Sequence, residues 1–159
     1  MSQEKSISLT INGEQVSASV PVRMNLVDFL RNDQGLTGSH IGCEHGVCGA
    51  CTLEVDGTMV RGCLMLAVQA NGTEVTTIEG FAADDRGETL RNAFQEHNAL
   101  QCGYCTPGMF ASALEYIEKG GAADRSAIRE HISGNYCRCT GYQSIVDAVV
   151  DTIEGEGAA

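Results

Sequence analysis

The chain has 159 residues and a formal net charge of −11, with 10 Lys and Arg against 21 Asp and Glu. That length suits one medium domain or two small ones, and so acidic a surface argues against nucleic acid or an anionic membrane as partner, since both need a positive face. Nineteen Gly against 2 Pro point to tight turns rather than a disordered tract.

The first half reads as β-rich. SISLTI and EQVSASV are alternating runs around Asn12-Gly13, a two-residue hairpin signal. MNLVDFLRNDQ, 24–34, places Leu26, Val27, Phe29 and Leu30 on one helical face, and Gly35 ends it. After a Gly- and Cys-rich loop, TLEVDGTMV forms a second hairpin around Asp56-Gly57. CLMLAVQA is a short helix or strand that periodicity does not decide, and TEVTTI reads as a closing strand. EGFAADDRGE, 79–88, has turn residues and charge, including Asp84-Asp85, but little apolar content, and reads as a linker.

The second half reads as four helices. LRNAFQEH covers about 89–98, and PGMFASALEYIEKG starts at 107 with Met109, Phe110, Ala113, Leu114 and Ile117 on one stripe. DRSAIREHIS has Asp124 as N-cap, and YQSIVDAVVDTI turns Ile145, Val146, Val149, Val150 and Ile153 inward. A helical unit of this size usually needs a staple, and a metal centre is one available staple. The tail EGEGAA reads as frayed.

The start, MSQEKSISLTINGEQ, lacks the basic and apolar segments of a signal peptide. No apolar run of about 18 residues is present to span a bilayer. A cytoplasmic location follows as the expectation. There, 8 cysteines are better explained as metal ligands than as disulfides.

The cysteines separate into two sets. Cys43, Cys48, Cys51 and Cys63 lie in the β half as C-x4-C-x2-C followed by a distant C, which is the plant-type spacing for a 2Fe–2S cluster. Gly42, Gly46 and Gly49 interleave them and allow backbone amides to approach the sulfurs. Cys102, Cys105, Cys137 and Cys139 lie in the helical half as C-x2-C and C-x-C. QCGYCTPGM and YCRCTGYQS are alike in placing a cysteine pair and then a Thr ahead of a helix. Thr106 and Thr140 are therefore N-cap candidates, and both pairs are expected at helix N-termini, where free N–H groups favour thiolates. Spacing alone leaves both an iron–sulfur cluster and zinc open for this second set.

GCEHGVCGACTLEVDG (42–57), QCGYCTPGM (101–109) and NYCRCTGY (135–142) resemble the small iron–sulfur subunit of molybdenum hydroxylases, the xanthine oxidase family that includes bacterial carbon monoxide dehydrogenase. All eight cysteine positions match, over about residues 5–153. The resemblance implies an α+β chain: a plant-type ferredoxin-like β-grasp domain over 1–80, then a four-helix bundle domain over 81–159, each with one 2Fe–2S cluster. It implies a large subunit with molybdopterin, as the cytosine dinucleotide, beside the helical-domain cluster, and a medium subunit with FAD beside the other. It also implies a dimer of heterotrimers, with Gln101 at a position that hydrogen-bonds the pterin. Electrons would run from molybdenum through the helical cluster and the ferredoxin-like cluster to FAD. Substrate remains open among carbon monoxide, aldehydes and aromatic N-heterocycles.

Two other readings stand beside this one: a free-standing 2Fe–2S carrier, and a structural zinc module. His40 and His45 flank the first loop, but eight thiols already fill two clusters without them. His97 and His131 read as helix-surface residues. Tyr104, Tyr136 and Tyr142 either shield the second centre from water or simply pack there.

Overall fold

Asn12 (φ 50°) and Gly13 (φ 83°) both occupy the left-handed region, which matches the twist of a two-residue hairpin. They join β1 (Glu4–Ile11) to β2 (Glu14–Pro21) in antiparallel register, with Ile11 opposite Glu14. Asp56 (φ 47°) and Gly57 (φ 73°) repeat the device between β3 (Thr52–Val55) and β4 (Thr58–Arg61). The computed structural model describes residues 3–83 and 87–156. In it, β5 (Glu74–Thr76) pairs parallel with β1 and antiparallel with β3, giving one mixed sheet of order β2-β1-β5-β3-β4.

One face of this sheet closes on Leu26, Phe29 and Leu30. These come from α1 (Leu26–Asp28) and the π-helical turn Phe29–Asp33 that continues it. Asn25 caps the start by accepting a hydrogen bond from the Asp28 amide at 2.8 Å. CLMLAVQA resolves as a 3₁₀ turn over Ala67–Ala70, whose two alanines are buried in the same core. Every residue of β3 is buried, because a helix of the second half covers its other face.

That helix is α4 (Thr106–Glu118), and its residues Pro107 to Leu114 are all buried. It packs against β3 and β4 on one side and against the other helices on another, so the expected single stripe becomes an almost fully buried first half. α3 (Glu88–Glu96), α5 (Arg125–His131) and α6 (Gln143–Glu156) complete the core with Phe94, Ile128, Ile145 and Val149. Asp124 caps α5 as expected, accepting from the Ala127 amide at 2.7 Å. α6 runs three residues into the tail read as frayed; residues 157–159 lie outside the described residues.

The stretch read as a linker begins instead with a helix, α2 (Ile78–Ala83). Phe81 of this helix is buried in the helical core, and Ile78, at its start, packs against the same core. Burial of that ring outweighs the local turn composition. Asp84-Asp85 lies outside the described residues. Among the described residues no helix is long and apolar enough to cross a membrane.

Candidate metal centres

The loop between the π-helical turn and β3 carries Cys43, Cys48 and Cys51, and Cys63 follows β4, so the second hairpin folds the fourth thiol back onto the loop. The Cys48 amide donates to Cys43 Sγ at 3.3 Å. That amide, followed by His45's, holds the Cys43 thiol down at about 6, so it is largely thiolate at neutral pH. Burial pushes Cys51, which faces Cys63, up to about 11. Gly42 is needed for space: a Cβ there would lie 2.9 Å from Cys48 Sγ. The His45 ring bonds the Cys43 carbonyl through its Nδ1.

The second set meets across α4 and the segment before α6. Cys105 is the N-cap of α4, so the first pair sits at a helix start as expected. The second pair does not. α6 begins only at Gln143, and Gly141 (φ 62°) and Tyr142 (φ 69°) form a turn between it and Cys139. An aromatic residue in the left-handed region costs on the order of 1–3 kcal/mol. Two hydrogen bonds offset this strain: the Tyr142 amide donates to Thr140 Oγ1 at 3.0 Å, and the Tyr142 hydroxyl accepts from the Cys137 amide at 3.0 Å. Neither threonine caps a helix. Thr106 is the first residue of α4, with its hydroxyl buried and without a hydrogen-bond partner, whereas Thr140 bonds Cys137 through both amide (3.4 Å) and hydroxyl (3.1 Å).

Cys102 and Cys139 are exposed, with their sulfurs 3.6 Å apart. Cys105 and Cys137 pair beneath them. Burial, then the neighbouring Cys137, pushes the Cys105 thiol up to about 12. Burial acts on Cys137 too, but hydrogen bonds from the Thr140 hydroxyl and amide and the Cys139 amide outweigh it and lower that thiol.

All eight cysteines are free thiols, and each meets a thiol of its own spacing set: Cys43 by Cys48, Cys51 by Cys63, Cys102 by Cys139 and Cys105 by Cys137. They come together as pairs. Among the described residues no three His, Cys, Asp or Glu groups converge as a single metal ion would require. A pair 3.6 Å apart matches two thiolates on one tetrahedral metal with bonds of about 2.3 Å, whose sulfurs lie roughly 3.7 Å apart. Two such pairs per site are what a two-iron cluster with four cysteines uses, so the donor set fits that group.

The two loops interlock. The Tyr136 amide donates to the Cys48 carbonyl at 2.8 Å, which leaves one peptide unit between that bond and Cys137. Asn135, 2 % exposed, donates to the Gly49 carbonyl (3.1 Å) and to Thr52 Oγ1 (3.3 Å), while its Oδ1 accepts from Ser112 Oγ at 3.0 Å. Arg61 crosses from β4 to donate to the Gly134 carbonyl at 2.8 Å and to Thr52 Oγ1. On the outer side His40 stacks on Tyr104 at 4.7 Å and bonds its carbonyl at 2.8 Å, and the Tyr104 hydroxyl donates to the Ile41 carbonyl. His97 and His131 instead pair with Asp151 and Glu115. Gln101 is exposed beside Cys102, and Tyr104 and Tyr136 are exposed as well.

Sequence reasoning missed Asn135, Arg61 and Ser112, because their bonds join segments far apart in the chain. Asn135→Ala is expected to cost about 2 kcal/mol, since it leaves the buried Ser112 hydroxyl without its partner and removes the cross-link to the Gly49 carbonyl, which keeps only its bonds from Thr52. Urea unfolding of the full chain measures this.

Two family models match: one described as a 2Fe-2S iron-sulfur cluster binding domain, over residues 9–82, and one as a [2Fe-2S] binding domain, over residues 77–150. The chain is 51 % identical over 148 residues to the caffeine dehydrogenase subunit gamma of a Pseudomonas species, covering 90 % of this chain and 87 % of that one. It is 49 % identical over 145 residues to the nicotine 6-hydroxylase small subunit of Paenarthrobacter nicotinovorans, covering 91 % and 87 %. The crystal structure of quinoline 2-oxidoreductase from Pseudomonas putida contains a chain that superposes with a TM-score of 0.91 at 48 % identity, covering 99 % of this chain and 97 % of that one.

Proposed function

Because the chain belongs to the small iron–sulfur subunits of molybdenum hydroxylases, we propose that it relays single electrons from a molybdopterin site on a large subunit, through a helical-domain centre and then a ferredoxin-like centre, to FAD on a medium subunit. It is an electron-transfer subunit of an oxidoreductase complex. Its domains are assigned as a β-grasp unit over 1–80 and a four-helix bundle over 81–159, in a cytoplasmic dimer of heterotrimers. Cys43, Cys48, Cys51 and Cys63 would hold one 2Fe–2S cluster, and Cys102, Cys105, Cys137 and Cys139 the other. The clusters supply one-electron chemistry; the chain supplies thiolates, burial and hydrogen bonds to sulfur. Exposed Gln101 would reach the pterin, taken to be the cytosine dinucleotide. The named relatives act on caffeine, nicotine and quinoline, which supports a nitrogen heteroaromatic as substrate, bound on the large subunit.

One observation favours this reading over a free-standing carrier. Every exposed large hydrophobic residue among those described stands within three positions of a cysteine: Val47, Leu64 (62 % exposed) and Leu66 at the first set, and Leu100, Tyr104 and Tyr136 at the second. Apolar side chains left exposed in patches mark surfaces meant to be covered, and here each electron port carries its own. The test is to purify the chain from its native host with whatever it binds. Iron and sulfide in equal amounts, two distinct EPR signals on reduction, and co-elution with molybdenum- and flavin-bearing chains are expected. Zinc in place of iron would exclude electron transfer, and a chain that elutes alone would favour the free-standing carrier.

A further inference from the structure

The two halves of the second centre look alike in sequence but differ in one hydroxyl. After Cys105, Thr106 Oγ1 is buried with no hydrogen-bond partner. After Cys139, Thr140 Oγ1 lies 3.1 Å from Cys137 Sγ and accepts from the Tyr142 amide at 3.0 Å. That second bond fixes where the proton goes. An oxygen already accepting from an amide has its own O–H free to donate, and the sulfur is the acceptor within reach. Tyr142 is held for this purpose in a left-handed conformation, with its hydroxyl tied to the Cys137 amide. Cys137 and Thr140 are both partly buried, so the bond acts where water screens it little. By contrast, Cys102 and Cys139 are exposed, and their sulfurs lie against each other at 3.6 Å.

We propose that Thr140 is the positioning residue that sets the reduction potential of the helical-domain centre, by donating its hydroxyl proton to the Cys137 thiolate. The inference rests on Cys137 being a cluster ligand. Reduction adds one negative charge to the cluster and its thiolates. A donor aimed at a ligand sulfur therefore stabilises the reduced form more than the oxidised one and raises the potential. Among the described residues no side-chain hydroxyl bonds a sulfur of the ferredoxin-like centre, where the bond to sulfur comes from the Cys48 amide, so that centre should not respond.

The test is a redox titration of the full chain, purified with its clusters and followed by EPR so that the two signals are read separately. Thr140→Val, which keeps the shape and removes the hydroxyl, should shift the reduction equilibrium of the helical centre about tenfold towards the oxidised form, a fall of about 59 mV for one electron. Thr140→Ser should restore the wild-type value, and the ferredoxin-like signal should not move in either variant. Equal potentials in Thr140→Val, Thr140→Ser and wild type would overturn the proposal. If Thr140→Val holds no second cluster, Thr140→Ala carries the comparison. Loss of that cluster in both would overturn tuning in favour of a role in assembly. Wild-type chain free of iron is a separate failure, because it removes the reading of the cysteines as ligands.

Discussion

Gly108→Ala is expected to destabilise the chain by about 3 kcal/mol and to disturb both centres at once. In an ordinary helix the same change is stabilising by up to about 1 kcal/mol, because alanine restricts the unfolded chain and glycine does not. Gly108 is not in an ordinary helix. It lies in the first turn of α4, fully buried, and a Cβ there would overlap the Gly49 carbonyl oxygen and come within 3.1 Å of the Gly49 carbon and 3.2 Å of the Ala50 carbon. All three are backbone atoms, which cannot rotate away as a side chain would. Nor can the loop retreat. Gly49 is held at φ +74°, and a Cβ on it would itself stand 2.6 Å from the Gly134 carbonyl. The overpacking term therefore exceeds the helix-propensity gain. Denaturant unfolding measures the loss, and EPR shows whether both signals broaden. Gly155→Ala is the control: it has open space around it in α6, and no loss is expected. Equal stability of Gly108→Ala and wild type would mean that α4 does not rest on the first loop.

Cys139→Ser is expected to abolish the EPR signal of the helical-domain centre, cut iron per chain by about half, and leave the ferredoxin-like signal in place. Cys139 is exposed and 3.6 Å from Cys102, so its loss would deprive one iron of a thiolate without touching the half-buried pair Cys105 and Cys137. The contacts that tie the two loops together run through Gly134, Asn135 and Tyr136, on the other side of Cys137. They should survive the substitution, which is why the damage stays local. Metal analysis and EPR on the purified variant check both halves of the expectation. If the two signals vanish together, the division of eight thiols into two independent sets is wrong.

The features legible in the sequence are those written in local chemistry. Asn12-Gly13 and Asp56-Gly57 specified their hairpins because so few residue pairs accept two left-handed conformations in a row. Asp124 marked the start of α5 because a short side-chain acceptor can reach the third amide of a helix. Cysteine spacing separated a β-half set from a helical-half set, and the pairs that form stay within those sets. Where reading failed, the deciding partner was elsewhere. Phe81 turned a charged, turn-rich stretch into a helix because its ring had a core to enter. Thr140 looked like a cap because Thr before an apolar stripe usually is one. The turn at Gly141 and Tyr142 moved the helix start to Gln143 and freed the hydroxyl for sulfur. Asn135 gave no sign at all, since one polar residue carries no periodicity and its acceptor lies in the first loop.

The bond between Asn135 and Gly49 joins residues 86 positions apart. At ribosomal speeds of about 5–20 residues per second, the Gly49 carbonyl emerges roughly 4–17 s before the side chain that ties it to the second half. Throughout that interval the first cysteine loop has neither Asn135 behind it nor Tyr136 against the Cys48 carbonyl. The N-terminal half therefore cannot finish its own loop as it leaves the ribosome, although its sheet can form. Its last hydrogen bonds wait for the segment that also delivers Cys137, so the two centres reach their final form as one late event in the life of the chain.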